Sequence, residues 1–123
     1  MTIREAITKL DALMHNTYTN ADKISWLSRA DWMVKRHIID RHEGREDITF
    51  NGYTDADMDK TLLVGAPHDE MYIRFIESQV HYNNGEYDKY NNAIMMFQSV
   101  YDDFASMYTR EHLPISAGPR FLF

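Results

Sequence analysis

From Ile73 to Tyr108 one pattern runs through the chain without a slip. Ile73, Ile76, Val80, Asn83, Tyr87, Tyr90, Ile94, Phe97, Tyr101, Phe104 and Tyr108 follow each other at alternating steps of three and four residues. That spacing lines up one face of an α-helix. Only Asn83 among these residues is polar. The phase holds although Asn83-Asn84-Gly85 falls in the middle, where such a triplet ordinarily marks a turn. An arbitrary loop has no reason to keep register, so the pattern predicts one long C-terminal helix over about 69–111, kinked at Gly85 and on the order of 60 Å long. A helical hairpin at Gly85 is the alternative.

The rest of the chain is short by comparison. At 123 residues and 44% hydrophobic content it suits a single core. Thr2 and Glu5 have capping-box spacing, and Ile3, Ile7, Leu10 and Leu13 mark one face of a first helix over about 2–14. Thr19 with Asp22 repeats the signal before a second helix over about 20–42, on which Ile24, Leu27, Val34 and Ile38 share a face. Gly44 stands where a C-terminal cap is expected, after Lys35, Arg36, Arg41 and His42 have placed positive charge near the negative end of the helix dipole. From about 45 to 67 the periodicity is lost in an irregular, acidic arm whose apolar anchor is Leu62-Leu63-Val64. Ordinary links within bundles run to ~2 to 8 residues, so this arm is expected to carry a short helix or to reach a neighbour. Pro114 ends the last helix, and 113–123 form an extended tail rich in Gly and Pro. The fold class is therefore all-α: a small helical bundle, with a helical domain over 1–112 built on the long helix, plus arm and tail.

Several function classes are disfavoured. The net charge is -6, with 19 acidic against 13 basic residues, which argues against a broad phosphate-gripping face. There is no cysteine, hence no disulfide framework or thiolate chemistry. Charge in Met1-Thr2-Ile3-Arg4-Glu5 and the lack of any stretch near ~20 apolar residues point to a protein made in the cytoplasm with no membrane partner. Glu77 and His81, four apart, could share a cation, yet no third ligand stands at a recognisable spacing. Asp55, Asp57 and Asp59 imitate a calcium loop, but Lys60 sits where glycine is needed and Ala66 where glutamate is needed. No nucleophile elbow and no glycine-rich phosphate loop is present. No enzyme, cofactor or metal is expected. Asp31 interrupts the apolar face of the second helix, and its ordinary reading is a carboxylate paired with an Arg, Tyr or backbone donor.

What remains is assembly. Trp32 and Ile39, seven apart on a neighbouring face of the second helix, fit either a wide core or a docking surface. With Tyr87, Tyr90 and Tyr101 they make up the candidate subunit interface. Two short helices also supply too little apolar surface to cover the whole seam, which leaves its tyrosines for another chain. In the tail, Ile115, Arg120, Phe121, Leu122 and Phe123 combine an apolar tip with a tether, a form suited to a partner's groove.

Particular strings add a resemblance. Thr2-Ile3-Arg4-Glu5-Ala6-Ile7, Lys23-Ile24-Ser25-Trp26-Leu27-Ser28 followed by Asp31, His42-Glu43-Gly44, Leu62-Leu63-Val64 before Pro67, and Tyr82-Asn83-Asn84-Gly85-Glu86 before Tyr90-Asn91-Asn92 resemble the head-tail connector (head completion, adaptor) proteins of tailed phages and prophages. The resemblance covers nearly the whole chain and carries no catalytic signature. It departs at Asn84, where relatives more often show tyrosine, and at Gly118-Pro119. It implies a homo-oligomeric ring, usually twelve-fold, in the virion neck below the portal protein, receiving the next neck or tail-completion component. DNA would pass through without sequence-specific binding, past luminal carboxylates such as Asp55, Asp57 and Asp59, and the tail would dock on the portal. From the residues alone, the competing reading is a small helical protein-binding or regulatory module.

Overall fold

The computed structural model describes residues 1–115. Arg120, Phe121, Leu122 and Phe123, read above as a docking tip, lie outside the described residues. Within them the protein is all-helical: α1 (Ile3–Leu13), α2 (Asn20–His37), α3 (Glu70–Asn83) and α4 (Tyr87–Glu111), with single 3-10 turns at Ile39–Arg41, Arg45–Asp47 and Asp55–Asp57. Among the described residues no helix is long and apolar enough to cross a membrane.

Both expected capping boxes form. Thr2 accepts from the Glu5 amide while Glu5 reaches back to the Thr2 amide, and Thr19 and Asp22 do the same for α2. Each box satisfies two backbone donors that a helix start otherwise leaves open. α1 buries Ile3, Ala6, Ile7 and Leu10, whereas Leu13, expected on that face, points out. α2 buries Ile24, Leu27, Ala30 and Val34, and also Lys23, whose ammonium meets Asp11 of α1 at 2.8 Å.

The long helix is broken. Asn84-Gly85-Glu86 reverses the chain, with Gly85 at φ +76, a conformation open to glycine at little cost. α3 and α4 then pack antiparallel along their length: Phe75 meets Phe97 with ring centroids 5.1 Å apart, and His68, just before α3, meets Phe104 near the far end of α4. Hairpin formation lets the two halves of the seam bury one another. Phe97, Phe104 and Tyr108 go into the core on α4, opposite Ile73, Ile76 and Val80 on α3. Each large apolar side chain buried in this way stabilises the fold by roughly 1.5–3 kcal/mol, which a lone straight helix would forgo.

The second helix is also shorter than its sequence suggests. It stops at His37, and Ile38 (φ -120, ψ -64) turns the chain into the first 3-10 turn. His42 explains the stop. Its Nδ1 bonds the Ile38 carbonyl at 2.6 Å, a carbonyl that further helix would have used, and its Nε2 reaches Thr109 of α4 at 3.0 Å. Gly44 takes φ +90, but as the entry to the 3-10 turn Arg45–Asp47 and not as the cap of α2.

The arm is held down rather than extended. Phe50, Leu62 and Val64 are buried, and 58–62 run back along the start of α1 through Arg4 N to Met58 O (2.8 Å), Ile3 N to Lys60 O (3.1 Å) and Leu62 N to Met1 O (3.0 Å). After α4, Glu43 N bonds Leu113 O and Ile115 N bonds Arg41 O, both at 2.8 Å, so the chain leaves the bundle alongside residues 41–43.

Urea unfolding should separate these contributions. Thr19→Ala is expected to cost ~1 kcal/mol through its cap and Phe97→Ala ~3–5 kcal/mol through a core cavity, while Leu13→Ala stays within ~0.5 kcal/mol.

Candidate functional site

Two groups of side chains stand out from the core: a buried polar knot at Asp31 and an aromatic end around the hairpin turn. Asp31 is fully buried, and its carboxylate accepts from the hydroxyls of Tyr53 in the arm and Tyr72 in α3 and from the Leu63 amide at 3.1 Å. The Tyr72 hydroxyl accepts in turn from the Val64 amide at 2.8 Å. Burial pushes the Asp31 carboxyl above its ordinary range, opposed by its hydrogen bonds from Tyr53, Tyr72 and Leu63. The same burial, with the Asp31 charge, pushes both tyrosine hydroxyls up. The Asp31 carboxylate is closed off from solvent and held by donors from two other elements. It ties three elements together: α2, the arm and α3.

At the hairpin turn, Tyr82 of α3 meets Tyr87 and Tyr90 of α4 with ring centroids 5.8 and 5.3 Å apart. Tyr18, edge-on to Trp26 at 5.5 Å, donates its hydroxyl to Asn84 Oδ1 at 2.7 Å. Glu86 receives His81 Nδ1 at 2.9 Å and Lys89 Nζ at 3.5 Å. The hydrogen bond from His81 holds the Glu86 carboxyl below the usual range. Polar bonds therefore pin the turn while its rings face outward. Exposure is high at Tyr82 (53%) and Tyr87 (60%), and on the outer side of α4 at Met95 (69%) and Met96 (47%).

The residues singled out in the sequence are partly brought together here. Tyr87 is exposed, Tyr90 is half-buried beside it, and Tyr101, also half-buried, donates to the Met33 carbonyl at 3.3 Å farther along α4. Trp32 is half-buried, edge-on to Phe50 at 4.8 Å and covered by the Arg36 guanidinium at 5.1 Å. Ile39 is no surface residue: the early end of α2 moves it into a 3-10 turn that folds it inward, and it is buried. Ile115 is exposed at the end of the segment along Arg41.

The acidic trio of the arm is also divided. Asp57 caps its own 3-10 turn, accepting from the Thr54 amide at 2.7 Å, and lies 3.4 Å from Lys60; Asp59 meets Arg4 Nε at 3.0 Å. Asp55 alone of the three stays exposed without such a bond among the described residues. Glu77 lies 3.9 Å from His81 and pairs with Arg74 at 3.2 Å, and among the described residues no group of three or more potential ligands gathers for a metal ion.

Sequence reasoning missed Tyr18, Met95 and Met96. The two methionines carry a signal, since they fall just off the seam and so face away from it; Tyr18 sits in a connection with no period to place it. Compared with known protein families, curated proteins and solved structures, the chain matches none.

Asp31→Ala should leave three buried donors without an acceptor and cost about 3 kcal/mol or more in urea unfolding, against about 1 kcal/mol for Tyr53→Phe. The pH dependence has a defined sign. Because the folded-state pKa of Asp31 lies above the ordinary 3.8, the extra stability it gives is complete below about 3.8 and is lost as pH rises through the folded value. The stability difference between the wild type and Asp31→Asn should therefore move against the wild type on going from acid to neutral pH, measured by urea unfolding across that range.

Proposed function

We propose that the protein is a head-tail connector subunit of a tailed phage, forming a homo-oligomeric ring below the portal protein, through which DNA passes on its way to the next neck or tail component. The strings that resemble this family suggest the assembly. The observation that carries the reading is the number of large apolar side chains left exposed at the hairpin turn and along α4: Tyr82, Tyr87, Met95 and Met96. A lone small protein gains nothing from exposing them, whereas a subunit of a ring has neighbours to cover them. Aromatic residues and methionine are also the types enriched in interfaces between chains.

Charge supports a conduit. With a net charge of -6, and with Asp102 and Asp103 on the exposed side of α4 as well as Asp55 on the arm, the subunit repels a duplex more than it binds one. In this reading the protein performs no chemistry, and its work is to dock. The chain leaves the bundle at Leu113–Ile115, held by Glu43 and Arg41.

Negative-stain images of concentrated protein, alone or mixed with its portal, should show annular particles. Met95→Ser with Tyr87→Ser should abolish them while the helical circular-dichroism signal persists. A protein that stays monomeric under native conditions and ignores the portal would refute the proposal. Deleting Arg120 to Phe123 should remove portal binding in a pull-down and leave ring formation by the subunit intact; undiminished portal binding would discard the tail's part in it.

A further inference from the structure

The seam keeps its phase across a turn that does not require it. In a hairpin each helix sets its own rotation, and the connection absorbs any mismatch. Yet Ile76, Val80, Asn83, Tyr87, Tyr90 and Ile94 continue the alternation of three and four through Asn84-Gly85-Glu86. Strict alternation of this kind is the 3.5-residue repeat of a coiled-coil seam. Asn83 is the one polar residue on this seam.

The turn that interrupts the seam is Asn84–Glu86. It is three residues long, and short hinges favour exchange of an element between copies over closure within one. A Cβ placed on Gly85 would meet no atom within 4 Å, so its φ of +76, and no crowding, is what calls for glycine there. The reversal is held by two backbone bonds, Gly85 N to Tyr82 O (3.1 Å) and Glu86 N to His81 O (2.9 Å), and by side chains at its edge, from Tyr18 to Asn84 and from His81 to Glu86. Asn83 and Tyr87, the two seam positions that flank the reversal, are exposed in the hairpin, and the inner contacts of α4, such as Phe97 on Phe75, can be supplied equally by the α4 of another molecule.

We propose that α3 and α4 join through Asn84–Glu86 into one continuous helix and exchange α4 with a second copy of this chain, each α4 taking its partner's place against α3. Asn83 and Tyr87 of the two copies then meet where the straightened helices cross. The exchange is two-fold and closed, and it holds whether or not the protein forms part of a phage neck.

Gly85→Ala tests it, because alanine is disfavoured at positive φ and favoured within a helix, so both effects push toward the straight form. Light scattering should show a rise of at least about tenfold in the dimer association constant. With no native cysteine, spin labels can be placed at Glu70→Cys and Ser106→Cys and diluted with unlabelled protein, so that only distances within one chain are read. The short separation of the hairpin should give way to roughly 54 Å at ~1.5 Å per residue in the dimer. The same labels in protein with the native hinge, refolded from urea at high concentration, should give dimers with the same long distance, which keeps the test intact if Gly85→Ala does not fold. Inserting Gly-Ser-Gly after Gly85 should return the protein to monomer. Dimers that keep the short distance, or monomers alone with the native hinge and Gly85→Ala, would overturn the proposal.

Discussion

Once the chain reverses at Asn84–Glu86, the apolar faces of α3 and α4 meet along their length, and the rest of the molecule is arranged around that pair. α3 becomes the most enclosed helix, buried on more than one side because α1 and α2 pack on it as well. α4 is covered on one side only and leaves Met95 and Met96 in solvent. The division between an enclosed helix and a half-covered one follows directly from the reversal. It is also what leaves part of α4 exposed.

Asp31 and His42 fasten what the hairpin leaves loose. Asp31 draws Tyr53, Leu63 and Tyr72 together, fixing a long arm that has little regular hydrogen bonding of its own. His42 does the same just beyond the C-terminal end of α2, bonding Ile38 and Thr109 and packing edge-on against Tyr108, which stacks on His112. Both are polar groups in the core with their partners in place, a use of buried polarity that specifies position more than it adds stability.

Those features that rest on local rules were legible in the sequence: the capping boxes at Thr2 and Thr19 and the buried face of α2 came from spacing alone. Asp31 was legible as a paired carboxylate, though its partners lie 22 and 41 residues away and no local rule could name them. The hairpin was hidden for a physical reason. Its two halves share one phase, so periodicity argued for continuity, and only the φ of Gly85 and the burial gained by packing Phe97 on Phe75 decide the matter. The end of α2 was hidden in the same way, because His42 is also held by Thr109, 67 residues away, and with it went the reading of Ile39 as a surface residue. Of the candidate interface, Tyr87 and Tyr90 could be read from the seam, while Met95 and Met96 lie between its positions, and how exposed they are depends on what packs against α4.

The reversal at Gly85 is tested most directly by amide hydrogen exchange on dilute, monomeric protein, read residue by residue by NMR. In the hairpin, Tyr87, Asp88 and Lys89 form the first turn of α4, where backbone donors have no partner within the helix, while Tyr90 N bonds Glu86 O at 2.9 Å. Fast exchange at 87–89, between protected amides at Val80 and Ala93, is the expected result. Unbroken protection from Val80 through Ala93 would mean that the monomer is one continuous helix, and would contradict the fold on which the rest depends.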